Sequence, residues 1–405
     1  MKPIVRAGRM KPVHSDIRGP LFVEAMNRQK QGIDILKLNT GNPATFGFGL
    51  PDSIKNALLE HMQDGVGYCD FKGMPQARQA ICDYETSKGI KGITSDDVFI
   101  GNGVSEVVSF ALTPLLNDGD EVLVPSPSYS LWGNSIYLEG GKPVFYTCDE
   151  KANWYPDIKD IRSKITDKTK AIVIINPNNP TGVLYPKELL LEIIQIARES
   201  GLLIFADEIY DRLVMDGKQH ISLASLTEDV PVITLNGLSK SHCLCGYRCG
   251  WMVISGPREL TEDYRQGIIQ LTSLRLCANT MAQIVIPAAL DDMETPASMV
   301  RPGGRIYEQR EATVRELEKI DGLSFIKNDA AFYVFPKLDV KKFNITNDKQ
   351  FAHDLLDATN ILLVPGSGFD WKDPDHFRIV MLPQADILSD AIRRMGTFLD
   401  GYKQK

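Results

Sequence analysis

The chain has 405 residues, 43% hydrophobic and 24% charged, with 45 basic against 52 acidic side chains and a formal net charge of −7. That length exceeds what one hydrophobic core fills, so two domains are expected, and the composition excludes disordered and fibrous classes. The mild acidity leaves no basic footprint for nucleic acid, and an anionic substrate would need local arginines. No apolar run approaches the roughly 18 residues of a membrane helix. Met1-Lys2-Pro3-Ile4-Val5-Arg6 lacks the apolar stretch of a signal peptide. Seven scattered cysteines, an odd number, suit a reducing cytoplasm better than a disulfide framework.

The first 50 residues contain few periodic runs and are expected to form an arm that returns to the C-terminal part. Strand-like and helical segments then alternate. Val98-Phe99-Ile100 precedes a helical pattern over 104–116. Glu121-Val122-Leu123-Val124-Pro125 reads as a strand before a helix over 130–138. Pro143-Val144-Phe145-Tyr146 is a short strand. Residues 170–176 contain the buried run Ala171-Ile172-Val173-Ile174-Ile175. A helix over 188–198 places Leu189, Ile193, Ile194 and Ala197 on one face, and strands follow over 202–206 and 232–235. Near-continuous apolar strands alternating with helices imply a mostly parallel sheet covered on both faces. Ligands of such sheets bind beyond the carboxyl ends of the strands. From about residue 296, short strands over 323–326, 332–335, 361–364 and 376–380 suggest a smaller α+β domain. The expected division is 1–49 for the arm, 50–295 for the large domain and 296–405 for the small one.

Three motifs follow three of these strands. After Ile175 comes Asn176-Pro177-Asn178-Asn179-Pro180-Thr181-Gly182, whose Asn-Pro pairs mark a tight turn that aims an amide outward. After Ala206 comes Asp207-Glu208-Ile209-Tyr210. A carboxylate at a buried strand end needs a partner, and a protonated pyridine nitrogen would be one. Read alone, Asp207 is more readily a helix cap than a cofactor partner. After Leu235 comes Asn236-Gly237-Leu238-Ser239-Lys240, with Arg248 in a glycine-rich stretch beyond it. A desolvated lysine amine is a nucleophile suited to a Schiff base with pyridoxal phosphate. Gly101-Asn102-Gly103-Val104-Ser105 lies between a strand and a helix, where backbone N–H groups bind phosphate. Arg378, in a short apolar strand, suits a substrate carboxylate or a structural ion pair. Cys243, Cys245 and Cys249 with His242 match no zinc spacing, and read as small packing residues.

The order Asn-Pro-x-Asn-Pro-Thr-Gly, Asp-Glu-x-Tyr, Ser-Lys and Gly-x-Arg-x-Gly resembles the fold type I, class I/II pyridoxal-phosphate-dependent aminotransferases over nearly the whole chain. Within them the chain is most similar to the bacterial glutamate–pyruvate (alanine) enzymes, through 16–20, 41–43, 67–70 and 275–279. The resemblance implies a seven-stranded, mostly parallel sheet between helices plus the smaller domain. It makes Lys240 the Schiff-base lysine and proton shuttle, with Asp207 on the pyridine nitrogen and Tyr210 and Asn179 on the ring oxygen. Tyr129 would stack on the ring; Gly103, Val104, Ser105 and Arg248 would form the phosphate cup. Tyr68 would reach the phosphate of a second subunit, implying a homodimer. Gly41, Asn179 and Arg378 would hold the substrate α-carboxylate. Arg18 is a candidate for the second carboxylate of glutamate, and serves as readily in a salt bridge of the arm. The implied reaction is ping-pong transfer between alanine/pyruvate and glutamate/2-oxoglutarate, with other amino donors or a carbon–sulfur β-lyase as alternatives. Gly237 departs from the hydroxyl residue that many relatives carry there, and His14 and Ser15 stand where an aromatic is expected.

Overall fold

The computed structural model describes residues 2–405. Eight strands form the central sheet: β1 (Val98–Asn102), β2 (Glu121–Ser126), β3 (Lys142–Asp149), β4 (Tyr155–Pro156), β5 (Thr169–Ile175), β6 (Leu203–Asp207), β7 (Val232–Gly237) and β8 (Cys249–Ser255). Their order is β1-β8-β7-β6-β5-β2-β3-β4. The pairs β2–β3, β2–β5, β5–β6 and β6–β7 are parallel. β8 is antiparallel to both neighbours. Seven of these make the expected sheet, and the two-residue β4 adds an edge antiparallel to β3.

Period-two alternation explains the unbroken apolar runs. In β5, Ala171, Val173 and Ile175 pack with Phe205 of β6 and Ile233 of β7 on one face. Ile172 and Ile174 pack with Ile204 and with Leu190, Ile193 and Ile194 on the other. Both faces are thus buried, as the sequence pattern requires. The last three belong to a helix over Lys187–Ser200, closed by Gly201 in the left-handed region at φ 64°. The helix α1 (Pro75–Ser87) packs below β1, and α2 (Val104–Leu112) follows it. α2 stops before the expected residue 116 because Pro114 cannot continue it.

β8 was not expected as a strand: Gly250 and Trp251 read as part of the loop around Lys240. All seven of its residues are buried. The run 361–364 splits at Leu363. Ile361–Leu362 pairs in parallel with Leu36–Lys37, and Val364–Pro365 pairs with Phe377–Val380. A separate apolar cluster brings Leu38 together with Leu317, Phe351, Leu355, Phe377 and Met395. An unpredicted helix, Pro20–Lys30, contributes Ala25 to a small cluster with Ile35 and Leu356.

The arm before that helix is fastened at His14. Its backbone N–H donates to Asn134 Oδ1 (3.1 Å), and Asn134 Nδ2 donates back to its carbonyl (2.6 Å). Its ring lies 3.5 Å from Asp16 and 3.1 Å from Asp370. Asp16, then Asp370, raise the imidazole to about 9. A raised folded-state value adds stability that is complete below the unfolded value near 6.5 and is lost as pH rises through about 9. The side chain is over a third exposed, so solvent screening holds the effect to about 1 kcal/mol or less. His14→Ala is expected to lower the thermal midpoint at pH 6, with the difference disappearing above pH 9; a pH-independent difference would exclude the ion pairs as its cause.

Candidate active site

Asn179, Asp207 and Lys240 lie at or just beyond the carboxyl ends of the adjacent parallel strands β5, β6 and β7. Asp207 ends β6 and is 5% exposed. Its carboxylate accepts from Trp132 Nε1 (3.1 Å) and, at 3.4 Å, from the Ile209 N–H. Burial pushes the carboxyl up to about 6, and no cation lies within ion-pair reach among the described residues. The turn after it does not continue as a helix, so Asp207 caps none.

Lys240 sits in the short helix Leu238–Ser241 and is partly buried. Its Nζ donates to the Gly41 carbonyl (3.0 Å) and lies 5.6 Å from the Phe332 ring centre. No carboxylate pairs with it among the described residues. Gly237, the departure three residues earlier, has a packing cause. A Cβ there would come within 2.6 Å of the Cys249 carbonyl oxygen on the neighbouring strand.

Arg378, on the strand Phe377–Val380, is 1% exposed. Nη1 donates to Asn179 Oδ1 (3.0 Å) and Nη2 to the Asn39 carbonyl. Its Nε is buried with no hydrogen-bond partner among the described residues. The guanidinium lies 4.6 Å from the Tyr333 ring centre and 4.7 Å from that of Phe369. Burial lowers its pKa. The ion-pair alternative therefore fails: among the described residues this arginine meets no carboxylate. Tyr210 is buried and shares a hydrogen bond with the Tyr333 hydroxyl (3.0 Å). Burial pushes its phenol upward.

Gly103 has φ 83°, and a Cβ on it would overlap the Arg248 guanidinium. No side chain caps α2, whose first turn begins beside that cation. Arg248 is exposed, and Nη1 donates to the Cys245 carbonyl (2.8 Å). Val104 is half-buried, and Ser105 and Tyr129 are exposed. Gly41, Asn179, Asp207, Tyr210, Lys240 and Arg378 thus gather at one end of the sheet, with the α2 turn and Arg248 forming a cationic cradle. The side chains of Tyr68 and Arg18 make no hydrogen bond to this group among the described residues. Tyr68 is 84% exposed, and Arg18 is exposed. The cysteines are dispersed: Cys249 is buried in β8, Cys243 Sγ lies 3.9 Å from Met299 Sδ, and Cys245 Sγ donates to Asn42 Oδ1 (3.2 Å).

Trp132, Tyr333, Phe332 and Asn39 join the site without having been expected there. Each looks like an ordinary core or loop residue until the fold places it. Asn39 alone carried a signal, since it precedes Gly41 by two positions.

The profile of the family "Aminotransferase class I and II" matches residues 33–392. The chain belongs to the class I and II aminotransferases. Dependence on pyridoxal phosphate is a general property of that family, whose members act on amino acids and 2-oxo acids. This aminotransferase is 50% identical to the glutamate-pyruvate aminotransferase AlaA of Haemophilus influenzae, over the full length of both. Its fold matches the crystal structure of an aminotransferase from Escherichia coli with TM-score 0.98, 46% identity and full coverage of both chains. An alanine aminotransferase from Pyrococcus furiosus matches with TM-score 0.93 and 40% identity, over 98% of this chain and 100% of that one. Among the described residues, no single helix is long and apolar enough to cross a membrane.

The cradle depends on close backbone approach. A Cβ on Gly250 would come within 2.6 Å of the Gly103 carbonyl carbon. Gly250→Ala is expected to destabilise the apoprotein by about 1–3 kcal/mol in urea denaturation, because backbone must move to admit the methyl group. An unchanged midpoint would show that the turn is loose.

Proposed function

We propose that this chain is a pyridoxal-phosphate-dependent aminotransferase that moves an amino group between L-alanine/pyruvate and L-glutamate/2-oxoglutarate by a ping-pong mechanism. The observation that carries the proposal is a pair of buried charges with complementary needs. Among the described residues Asp207 meets no cation and Arg378 no carboxylate, in the same site as Lys240. A protonated pyridine nitrogen fits the first and an amino-acid carboxylate fits the second. The names of the glutamate-pyruvate and alanine aminotransferases to which the chain is similar support the substrate pair.

Gly103, Val104, Ser105 and Arg248 would hold the cofactor phosphate. Asp207 would hold the ring nitrogen, Asn179 and Tyr210 the ring oxygen, and Tyr129 one ring face. Bound there, pyridoxal phosphate supplies the electron sink that makes the substrate Cα–H bond acidic. Arg378, with Asn179 and the Gly41 backbone, grips the α-carboxylate and so orients that bond toward Lys240. The Lys240 amine takes the proton from Cα. Among the described residues its hydrogen-bond partner is the Gly41 carbonyl, with the Phe332 ring beside it. The 2-oxo acid enters the same carboxylate grip, which is why donor and acceptor alternate. Arg18 would meet the second carboxylate of glutamate. Exposed Tyr68 would cross to the phosphate of a second copy, giving a homodimer in the cytoplasm. The arm 1–49, the large domain 50–295 and the small domain 296–405 would frame the site.

Lys240→Ala is expected to lower the 2-oxoglutarate-dependent rate with alanine by roughly a thousandfold or more. An unchanged rate excludes the mechanism. Arg378→Lys keeps the charge but loses the planar fork, and should raise KM for both alanine and glutamate by about tenfold or more. In a panel of donors, alanine should outrun aspartate and aromatic amino acids. Strong preference for either of those overturns the substrate assignment.

A further inference from the structure

A second set of charges lies at the same end of the sheet, outside the roles assigned above. Lys88 is the first residue past α1, and its side chain is 13% exposed. Its Nζ lies 2.6 Å from Glu85 Oε2, 2.9 Å from Glu208 Oε2 and 3.3 Å from Asp211 Oδ2. Burial alone would lower the ammonium, and the carboxylates outweigh it, Glu208 most, so the amine stays charged. Three carboxylates around one ammonium leave surplus negative charge. The Tyr84 hydroxyl donates to Asp211 (2.5 Å) and accepts from Arg212 Nε (3.1 Å), which sets a second cation one bond further out. Burial pushes the Glu85 carboxyl up to about 7.

Members of this cluster attach to all three strand ends of the site. Glu208 and Asp211 belong to the turn after β6 that presents Asp207 and Tyr210. Asn236 Nδ2 donates to Asp211 Oδ2 (2.7 Å), and Asn236 Oδ1 accepts from the Gly237 N–H (2.7 Å), at the end of the strand that leads into Lys240. His220 Nε2 lies 3.9 Å from Glu208 and 3.1 Å from the Asn176 carbonyl, the first residue of the loop that carries Asn179. One buried cation thus stands behind the loops of Asn179, Asp207 and Lys240.

We propose that Lys88 is a positioning residue for transamination: by neutralising Glu208 and Asp211 it holds these three loops in register for cofactor binding and proton transfer. The proposal rests on the pyridoxal-phosphate reading of the site. Lys88 acts through Glu208, Asp211 and Asn236 rather than by contact with substrate. Removing it leaves two carboxylates of one turn repelling each other, and the turn that aims Asp207 and Tyr210 must shift or take up protons.

The test uses the full-length chain as wild type, Lys88→Met, Lys88→Arg and Asn236→Ala, each well below its own unfolding midpoint. Two quantities are read: the dissociation constant of pyridoxal phosphate from the apoprotein, by visible absorption, and kcat and KM for alanine. Lys88→Met is expected to weaken cofactor binding about tenfold or more and to lower kcat about tenfold or more, with KM changed by less than about threefold. Lys88→Arg should recover most of both losses, because it restores the charge. Asn236→Ala, which removes no charge, should shift both quantities the same way, and it decides the matter alone if Lys88→Met does not fold. Cofactor affinity and kcat at the wild-type level in Lys88→Met and Asn236→Ala, with only a lower midpoint, would overturn the positioning role. A wild-type chain that gives no visible cofactor band would instead overturn the cofactor reading on which it stands.

Discussion

Burying an ionised group is tolerable only when something of opposite charge or strong hydrogen-bonding character sits beside it. Elsewhere this protein meets that condition internally. Arg265 reaches Asp97 at 2.6 Å with both side chains buried, and the fully buried Arg310 reaches Asp216 at 2.6 Å. At the carboxyl end of the sheet two buried charged groups meet it through neutral partners alone. Among the described residues, Asp207 has an indole and an amide but no cation, and Arg378 has an amide oxygen and a carbonyl but no carboxylate. The two groups share a boundary formed by Asn179, Tyr210 and Tyr333. A ligand that carried a ring cation and a carboxylate would complete both at once.

The parallel sheet makes this arrangement possible. Parallel strands need crossovers, so consecutive strand ends all face one way and their loops crowd one edge. Three such loops deliver an amide, a carboxylate and an amine to one place. The antiparallel β8 serves a different purpose. By running back beside β7 it brings Gly250 against Gly103 and packs Cys249 over Gly237, compressing the cradle where Arg248 stands. Glycine at these positions follows from the distance between backbones.

Part of this logic is legible in the order of amino acids alone. Unbroken apolar runs bounded by Asn-Pro, Asp-Glu and Ser-Lys put Asn179, Asp207 and Lys240 at strand ends, because burial on both faces and turn chemistry are local properties of a sequence. Arg378 is legible as a charge among apolar neighbours, but its want of an anion is not, since that depends on what every other segment does. Trp132 and Tyr333 are invisible for the same reason: a hydrogen bond from an indole to a carboxylate across the fold leaves no spacing to read. β8 escapes because its glycines look like loop when their partners are unknown. Lys88 looks like a surface lysine at a helix end, and only the fold brings three carboxylates to it.

The pairing of Leu36–Lys37 with Ile361–Leu362 joins segments separated by almost the entire chain. Leu38 enters the same apolar cluster as Phe377 and Met395. During synthesis the N-terminal member leaves the ribosome first and must wait for nearly all the remaining residues before its partner exists. The central sheet is complete once β8 closes on β1 at Ser255, well before the strand Phe377–Val380 is made. Biosynthesis therefore imposes an order on assembly: the sheet that carries Asn179, Asp207 and Lys240 can gather while the layer that carries Arg378 is still being made. Arg378 can reach Asn179 only after the strand Phe377–Val380 has been made.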